Sequence, residues 1–428
     1  MTIRTVRVLS FAWLVLALAA GAQTAPASTP PPLSNEETAQ LIREMRVRID
    51  NLEKKVLELE AAKVSTPPVP PPAAVPAAAP SDPTSAPAEA AIASVPDDAG
   101  HHVAPDATGN YPDLKIRGFA DVVFSATNTN SPQGSRSGFS TGQFILHFAS
   151  ALSPKINYFG EVSMTFLPST ILVNLERSII RYDHNDAVKV SFGQFHVPSS
   201  YYNAAYHHGH WLQTTISRPN MVDFNTGLMP QHILGASVEG NIPSKGTRLG
   251  YMAGIGNGSG GFSIGDSDNH RAWFGTLFTR PLRVYGLQVG ASVYGDKRRI
   301  SGKDYREYVH SVHVVYNREP YEFIAEASNV RHREVNSVPT FNSQMAFVQL
   351  GYRLPFNDGK WKPYYLFDFV NTPSTEPIYG TRDLVGSTAG VRWDISNFAA
   401  FKFEYRNRKR RMQDPRFQGF FAQTAFTF

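Results

Sequence analysis

Phe401-Lys402-Phe403-Glu404-Tyr405-Arg406 sets an aromatic ring beside a full charge at every step. Strict alternation belongs to an extended strand, whose successive side chains point to opposite faces. A β-sandwich also alternates and hides its apolar face inside. Three full charges in six residues suit instead a wet lumen, with the aromatic face turned to lipid. The same period of two recurs through residues 111–428. Phe144, Leu146 and Phe148 alternate with Gln143 and His147, and Tyr158, Val162, Met164 and Phe166 with Asn157, Glu161, Ser163 and Thr165. Val289, Ala291 and Val293 alternate with Gln288 and Ser292, and Phe323, Ala325 and Ala327 with Glu322 and Glu326.

Working outward, sixteen such runs can be placed, beginning near Lys115, Gly142, Lys155, Ile171, Ala187, His232, Thr247, His270, Arg283, Tyr305, Tyr321, Asn342, Trp361, Asp383, Phe398 and Arg416. Every second junction is tight, as at Ser153-Pro154, Pro281-Leu282 and Ser396-Asn397, and the others are longer and polar, except Pro168-Ser169. Many runs exceed the usual five or six residues of soluble strands. Edges cannot be left unpaired in hydrocarbon, so the sheet must close. The expected fold is an all-β transmembrane barrel over 111–428 of about 16 antiparallel strands, with 14 and 18 still open. The terminal Ala425-Phe426-Thr427-Phe428 resembles the C-terminal aromatic signal of outer-membrane proteins.

The preceding segments are of other kinds. Arg4 and Arg7, the apolar run Val8 to Ala20 and the small residues Ala20-Gly21-Ala22 predict a signal peptide over 1–22. Over 33–63, Ile42, Met45, Ile49, Leu52, Val56 and Leu59 step by three and four, the seam of a short α-helical coiled coil. Arg48 can reach Glu53 of a parallel neighbour, so a homo-oligomer is expected. The seam alone suggests two strands, whereas Arg48-Ile49-Asp50-Asn51-Leu52-Glu53 resembles the Arg-h-x-x-h-Glu motif of trimeric coils. Residues 64–110 are Pro/Ala-rich and read as a disordered, extended linker.

Val190-Ser191-Phe192-Gly193-Gln194-Phe195-His196-Val197-Pro198 looks like the Phe-Gly-Gln-Phe-x-x-Pro segment that enters the third loop of the phosphate-selective porin O and P superfamily. Within it, the layout is similar to the DcaP-like porins with a periplasmic coiled coil. The resemblance implies a trimer of 16-stranded channels in the cell outer membrane, its coil in the periplasm, passing small anions through a basic constriction. No dense Arg/Lys ladder is evident in the sequence, and the third loop is unusual.

That loop, about His196 to Met229, is the longest connection and reads Tyr201-Tyr202-Asn203-Ala204-Ala205-Tyr206-His207-His208-Gly209-His210-Trp211, with Arg218 beyond. Three roles fit: packing against the wall, a pore lining of Tyr201, Tyr202, Tyr206, His207, His210 and Arg218, or a metal site of His207, His208 and His210. No carboxylate lies within the His run, and the sequence assigns no metal and no cofactor. By strand parity Lys115, Arg117, Lys189, Arg392, Lys402 and Arg406 face the lumen with Glu161, Glu322, Glu326, Asp394 and Glu404, so the lining is mixed.

Residues 111–428 carry 33 Lys/Arg and 24 Asp/Glu, against 8 and 12 over 1–110. This excess suggests small anionic solutes rather than nucleic acid. The run Arg406 to Arg411 is expected at an outer loop, near lipopolysaccharide phosphates or simply solvated. A passive porin with a modest preference for phosphate- or dicarboxylate-like anions is the expected function, and no enzyme. A structural tether joining envelope layers and a barrel phospholipase are the alternatives. Cysteine is absent, which excludes disulfides and thiolate chemistry.

Overall fold

The computed structural model describes residues 111–129, 136–167, 170–224, 227–258, 269–410 and 416–428, together with Lys54. Apart from Lys54, the expected signal peptide, coiled coil and linker lie outside the described residues. The barrel strands are β1 (Asp113–Thr127), β2 (Ser137–Ser153), β3 (Ile156–Leu167), β4 (Thr170–Asn185), β5 (Val188–His196), β6 (His232–Ile242), β7 (Leu249–Asn257) and β8 (Arg271–Thr279). There follow β9 (Leu287–Ile300), β10 (Lys303–Arg318), β11 (Tyr321–Glu334), β12 (Thr340–Tyr352), β13 (Trp361–Asn371), β14 (Leu384–Ser396), β15 (Ala399–Arg410) and β16 (Phe417–Thr427). Each pairs antiparallel with its neighbours, and β1 pairs with β16 from Phe119↔Thr427 to Thr127↔Gly419, closing the sheet.

Three sequence expectations need correction. β2 starts at Ser137, not near Gly142. Gly142 lies inside the strand at a register shift opposite Asp121, where a Cβ would fall 1.8 Å from the carboxylate, so glycine is required for a close approach and does not mark an end. β9 starts at Leu287, not near Arg283, because Val284 N–H bonds back to Pro281 and Leu287 N–H to Val284, holding 281–287 as a turn. The strict alternation of tight and long connections also fails between β9 and β10. Only Ser301-Gly302 joins them, both with positive φ (51° and 82°), the geometry of a two-residue hairpin.

The faces separate as lipid and lumen require. Outward positions on β10 such as Val312 and Val314 are exposed, whereas Tyr305, Glu307, Val309, Ser311, His313 and Val315 are buried. Exposed aromatics mark both ends of the belt. Phe139, Phe420 and Trp273 lie toward the long-loop end, and Tyr182, Tyr321, Tyr352 and Phe398 toward the short-turn end.

Inside, the lumen is not uniformly polar. From β10 to β14 the inner wall carries Val309, Val315, Ile324, Val330, Met345, Phe347, Leu366, Val370 and Leu384, all buried in one cluster with Tyr201, Tyr202, Met221, Val222, Leu228 and Met229 of the connection between β5 and β6. This side of the barrel interior is therefore an apolar seat for an inward-folded loop. Val312→Arg, near the middle of β10 on the outer face, should cost about 2–4 kcal/mol in denaturant titrations of the protein folded into vesicles. A cost near zero would show that this face does not meet hydrocarbon.

Candidate functional site

β5 ends at His196 and β6 begins at His232, and these two residues face each other as the last pair of their ladder. The described residues 197–224 and 227–231 hang from that pair into the lumen. A helical turn over Tyr201–Ala205 is capped by Ser200, whose Oγ accepts the Asn203 N–H at 3.1 Å, and a second short turn spans Asn220–Val222. Main chain removed from water needs partners. Wall carboxylates supply them.

Glu326 accepts the N–H groups of Tyr201 (3.0 Å) and Tyr202 (3.1 Å). Glu404 accepts those of Ile216 (2.8 Å) and Ser217 (3.2 Å), and Asp368 that of Asn220 (2.9 Å). Wall cations hold the loop carbonyls. Arg392 Nη1 donates to Trp211 (2.8 Å) and Gln213 (3.0 Å), and Lys402 Nζ to His210 and to Thr215 (3.2 Å). Five strands from β1 to β15 therefore grip the loop, β1 through Asp121, whose Oδ1 lies 2.8 Å from His210 Nδ1.

The residues singled out from sequence divide into three groups. Tyr201, Tyr202, His207 and Arg218 are buried between loop and wall, which is the packing role, while Tyr206 and His210 are half-buried. Arg218 serves the loop itself, donating from Nε to Val222 O (3.1 Å) and from Nη1 to Tyr206 O (2.7 Å) and His207 O. Burial pulls its guanidinium down to about 10. Lys402 and Arg392 are clamps with little contact to water. Lys189 lies half-buried at the short-turn end, in register between Asp183 and Glu239. Lys115 and Arg117 are exposed near the same end, on the parity of buried Phe119 and Asp121.

Arg406 opens a feature that sequence reading misplaced. The run from Arg406 is not an outer loop as far as Arg410, because β15 continues through it. On the parity of buried Lys402 and Glu404, Arg406, Arg408 and Arg410 face the lumen one above another, half-buried, while Lys409 is exposed. Arg406 has small neighbours on both sides, Thr388 on β14 and Gly419 on β16, whereas Arg408 lies between Gly386 and Phe417 and Arg410 lies opposite Leu384. Arg406 Nε donates to Glu404 (2.5 Å) with its guanidinium over the Phe421 ring, Arg408 lies 3.5 Å from Asp368, and Arg410 donates to Asn220 Oδ1 in the loop (3.1 Å). A basic ladder thus rises from the loop toward the long-loop end. At the other end, a cavity of about 60 Å³ is lined by Arg177, Arg181, Ser191, Ser237 and Glu239 among others.

The candidate metal set is also rearranged. His207 and His208 do not join His210. They gather instead with Glu176, His196 and His232, none of which the sequence reading named for this purpose. Glu176 is invisible to parity because β4 bulges there: Glu161 pairs with Arg177 and Val162 with Leu175, leaving Glu176 as the extra residue. Two consecutive residues, Glu176 and Arg177, therefore both point inward. Gly261-Phe262-Ser263-Ile264-Gly265 spells the nucleophile-elbow pattern, but it joins β7 to β8, not a strand to a helix as that elbow requires, and lies outside the described residues.

This architecture is that of the porin-type barrels. An anion-selective porin from Comamonas acidovorans aligns with 74% of this chain and 100% of its own at 11% identity and TM-score 0.54. The outer membrane channel DcaP of Acinetobacter baumannii aligns over 76% and 99% at 13% identity and TM-score 0.52, and the in-vitro folded trimer form of OmpT from Vibrio cholerae over 74% and 100% at 14% and 0.51. At such identities the likeness is one of fold. No protein-family model matches the chain, and no curated protein matches it in sequence.

Glu404→Ala leaves two loop N–H groups without their acceptor and should weaken loop docking by about 1–3 kcal/mol. The expected outcome is faster chymotryptic cleavage within 205–224 of the detergent-solubilised protein. Cleavage at the wild-type rate would show that the carboxylate does not hold the loop.

Proposed function

We propose that the chain is an outer-membrane porin for passive diffusion of small hydrophilic solutes, with a modest preference for phosphate- or dicarboxylate-like anions. The observation that carries this reading is the lumen-facing ladder Arg406, Arg408 and Arg410 above the constricting loop. The carboxylates beside it are partly committed elsewhere: Glu404 Oε2 takes two loop N–H groups and the Tyr364 hydroxyl (3.0 Å), and Asp368 takes the Asn220 N–H. Fixed positive charge on a low-dielectric wall raises the local concentration of anions. Arg177 and Arg181 also line the cavity on the other side of the loop, where Glu161, Asp183 and Glu239 balance their charge. One fold neighbour, the anion-selective porin of Comamonas acidovorans, has a selectivity of the same sign.

In this reading the periplasmic coiled coil of residues 33–63 holds three barrels together, and Lys409 meets lipopolysaccharide phosphates at the outer rim. Apolar side chains exposed at the ends of β3 and β4, among them Leu167, Ile171, Leu172 and Val173, add a second surface on which copies can meet. Another neighbour, OmpT of Vibrio cholerae, has a trimer form.

Selectivity is tested by reversal potentials in planar bilayers under a salt gradient. The wild type should pass Cl⁻ in preference to K⁺, and Arg408→Glu with Arg410→Glu should lower or invert that ratio. An unaltered ratio in the double variant would rule the ladder out as the selectivity element. Deleting 33–63 should convert trimers to smaller species in detergent, measured by light scattering, with conductance per barrel retained; a trimer of undiminished stability would remove the coil from that role.

A further inference from the structure

We propose that His196, His207, His232 and Glu176 form a structural site for a divalent cation of the zinc type, which pins the lumen loop to the barrel wall. The inference is independent of whether the barrel conducts.

The four residues come from four separate places in the chain, β4, β5, the loop and β6. His196 and His232 close the neck of the loop as a paired register position, His207 returns from the middle of the loop, and Glu176 is delivered by the β4 bulge. All are buried. The imidazoles crowd face to face and edge to face, with ring centroids 3.9 Å apart for His196–His207, 4.6 Å for His207–His232 and 5.2 Å for His196–His232. One nitrogen from each lies within 4.8 Å of the others, and Glu176, His207 and His208 satisfy the same limit. His232 Nε2 is 2.9 Å and His207 Nε2 3.9 Å from Glu176 Oε2. A tetrahedral ion with bonds near 2.0–2.1 Å sets its donors about 3.4 Å apart, so the two observed separations bracket that spacing.

Two independent observations point to a ligand. First, neither ring nitrogen of His196 makes a hydrogen bond, nor does His207 Nε2, although both side chains are almost fully buried. Buried polar atoms are seldom left so. Second, the tautomer of His207 is fixed in the sense that ligation needs. Asn203 Nδ2 donates to the carbonyls of Val197 (3.3 Å) and Gln231 (3.2 Å), which turns its Oδ1 toward His207 Nδ1 at 2.7 Å. An amide oxygen only accepts, so Nδ1 carries the proton and the lone pair of Nε2 faces the cluster. An imidazole oriented from behind by an amide or carboxylate is the usual outer support of a metal ligand.

The donor chemistry selects the ion. Three imidazoles and one carboxylate, with no thiolate, suit zinc and its neighbours better than calcium or magnesium, which prefer all-oxygen shells. With no ligand position turned to open water, the site resembles structural rather than catalytic zinc centres. Arg177 lies nearby and donates to Glu161, a carboxylate outside the proposed ligand set that balances its charge.

The test uses the full-length protein in detergent, stripped with a chelator and titrated with Zn²⁺ or, as a spectroscopic probe, Co²⁺. About one ion per chain should bind, and Co²⁺ should give the intense visible absorption of a four-coordinate site. His207→Ala should abolish that absorption. Asn203→Ala keeps every ligand and removes only the group behind His207, and should weaken binding about 10–100-fold. His184→Ala, exposed near the end of β4, should change neither. Heat-modifiable migration on gels shows that each variant barrel is folded. Absence of the absorption band in folded wild type, or equal binding by the wild type and folded His207→Ala, overturns the proposal.

Discussion

A peptide group taken out of water must find a partner, and this protein meets that requirement twice. In the sheet it is met by closure, since β1 takes β16 and no edge remains. Closure creates a lumen, and a loop of more than thirty residues then enters it, carrying a fresh set of N–H and C=O groups. Those groups are paired from the wall by Glu326, Glu404 and Asp368 on one side of the charge balance and by Lys402 and Arg392 on the other. The charged lining thus has a structural use.

This division shows how wall charges of both signs serve one loop. Carboxylates that accept several N–H groups are already stabilised by the loop dipoles around them. On the ladder, Arg406 pairs with Glu404, Arg408 lies beside Asp368 and Arg410 reaches Asn220 of the loop.

The barrel was legible from residues because its signal is local and repetitive. Alternation at Phe401 to Arg406 reappears strand after strand, and hydrocarbon leaves one solution for such a pattern. Boundaries slipped where a single residue carried two meanings: Gly142 as a turn signal or as room for Asp121, Ser301-Gly302 as part of a longer loop or as a complete hairpin turn. The site was less legible. Parity puts Lys402, Glu404 and Arg406 on one face, yet it gives no reach, so the buried clamps Lys402 and Glu404 and the half-buried Arg406 look alike in the sequence. The apolar inner wall from β10 to β14 read as an ordinary alternation because nothing in it tells lipid from a buried loop. The bulge at Glu176 broke parity altogether, hiding a carboxylate from any count in steps of two.

The neck pair His196 and His232 carries one more implication. Since both ends of the loop leave the sheet from a single rung, the ladder below is complete without anything that lies between them. Lengthening or replacing the insert changes the cost of closing the loop only logarithmically with its length. The scaffold and its filling are therefore separable modules: a different cassette grafted onto that rung would inherit a closed barrel, and would need only its own contacts to the wall to stay folded inside it.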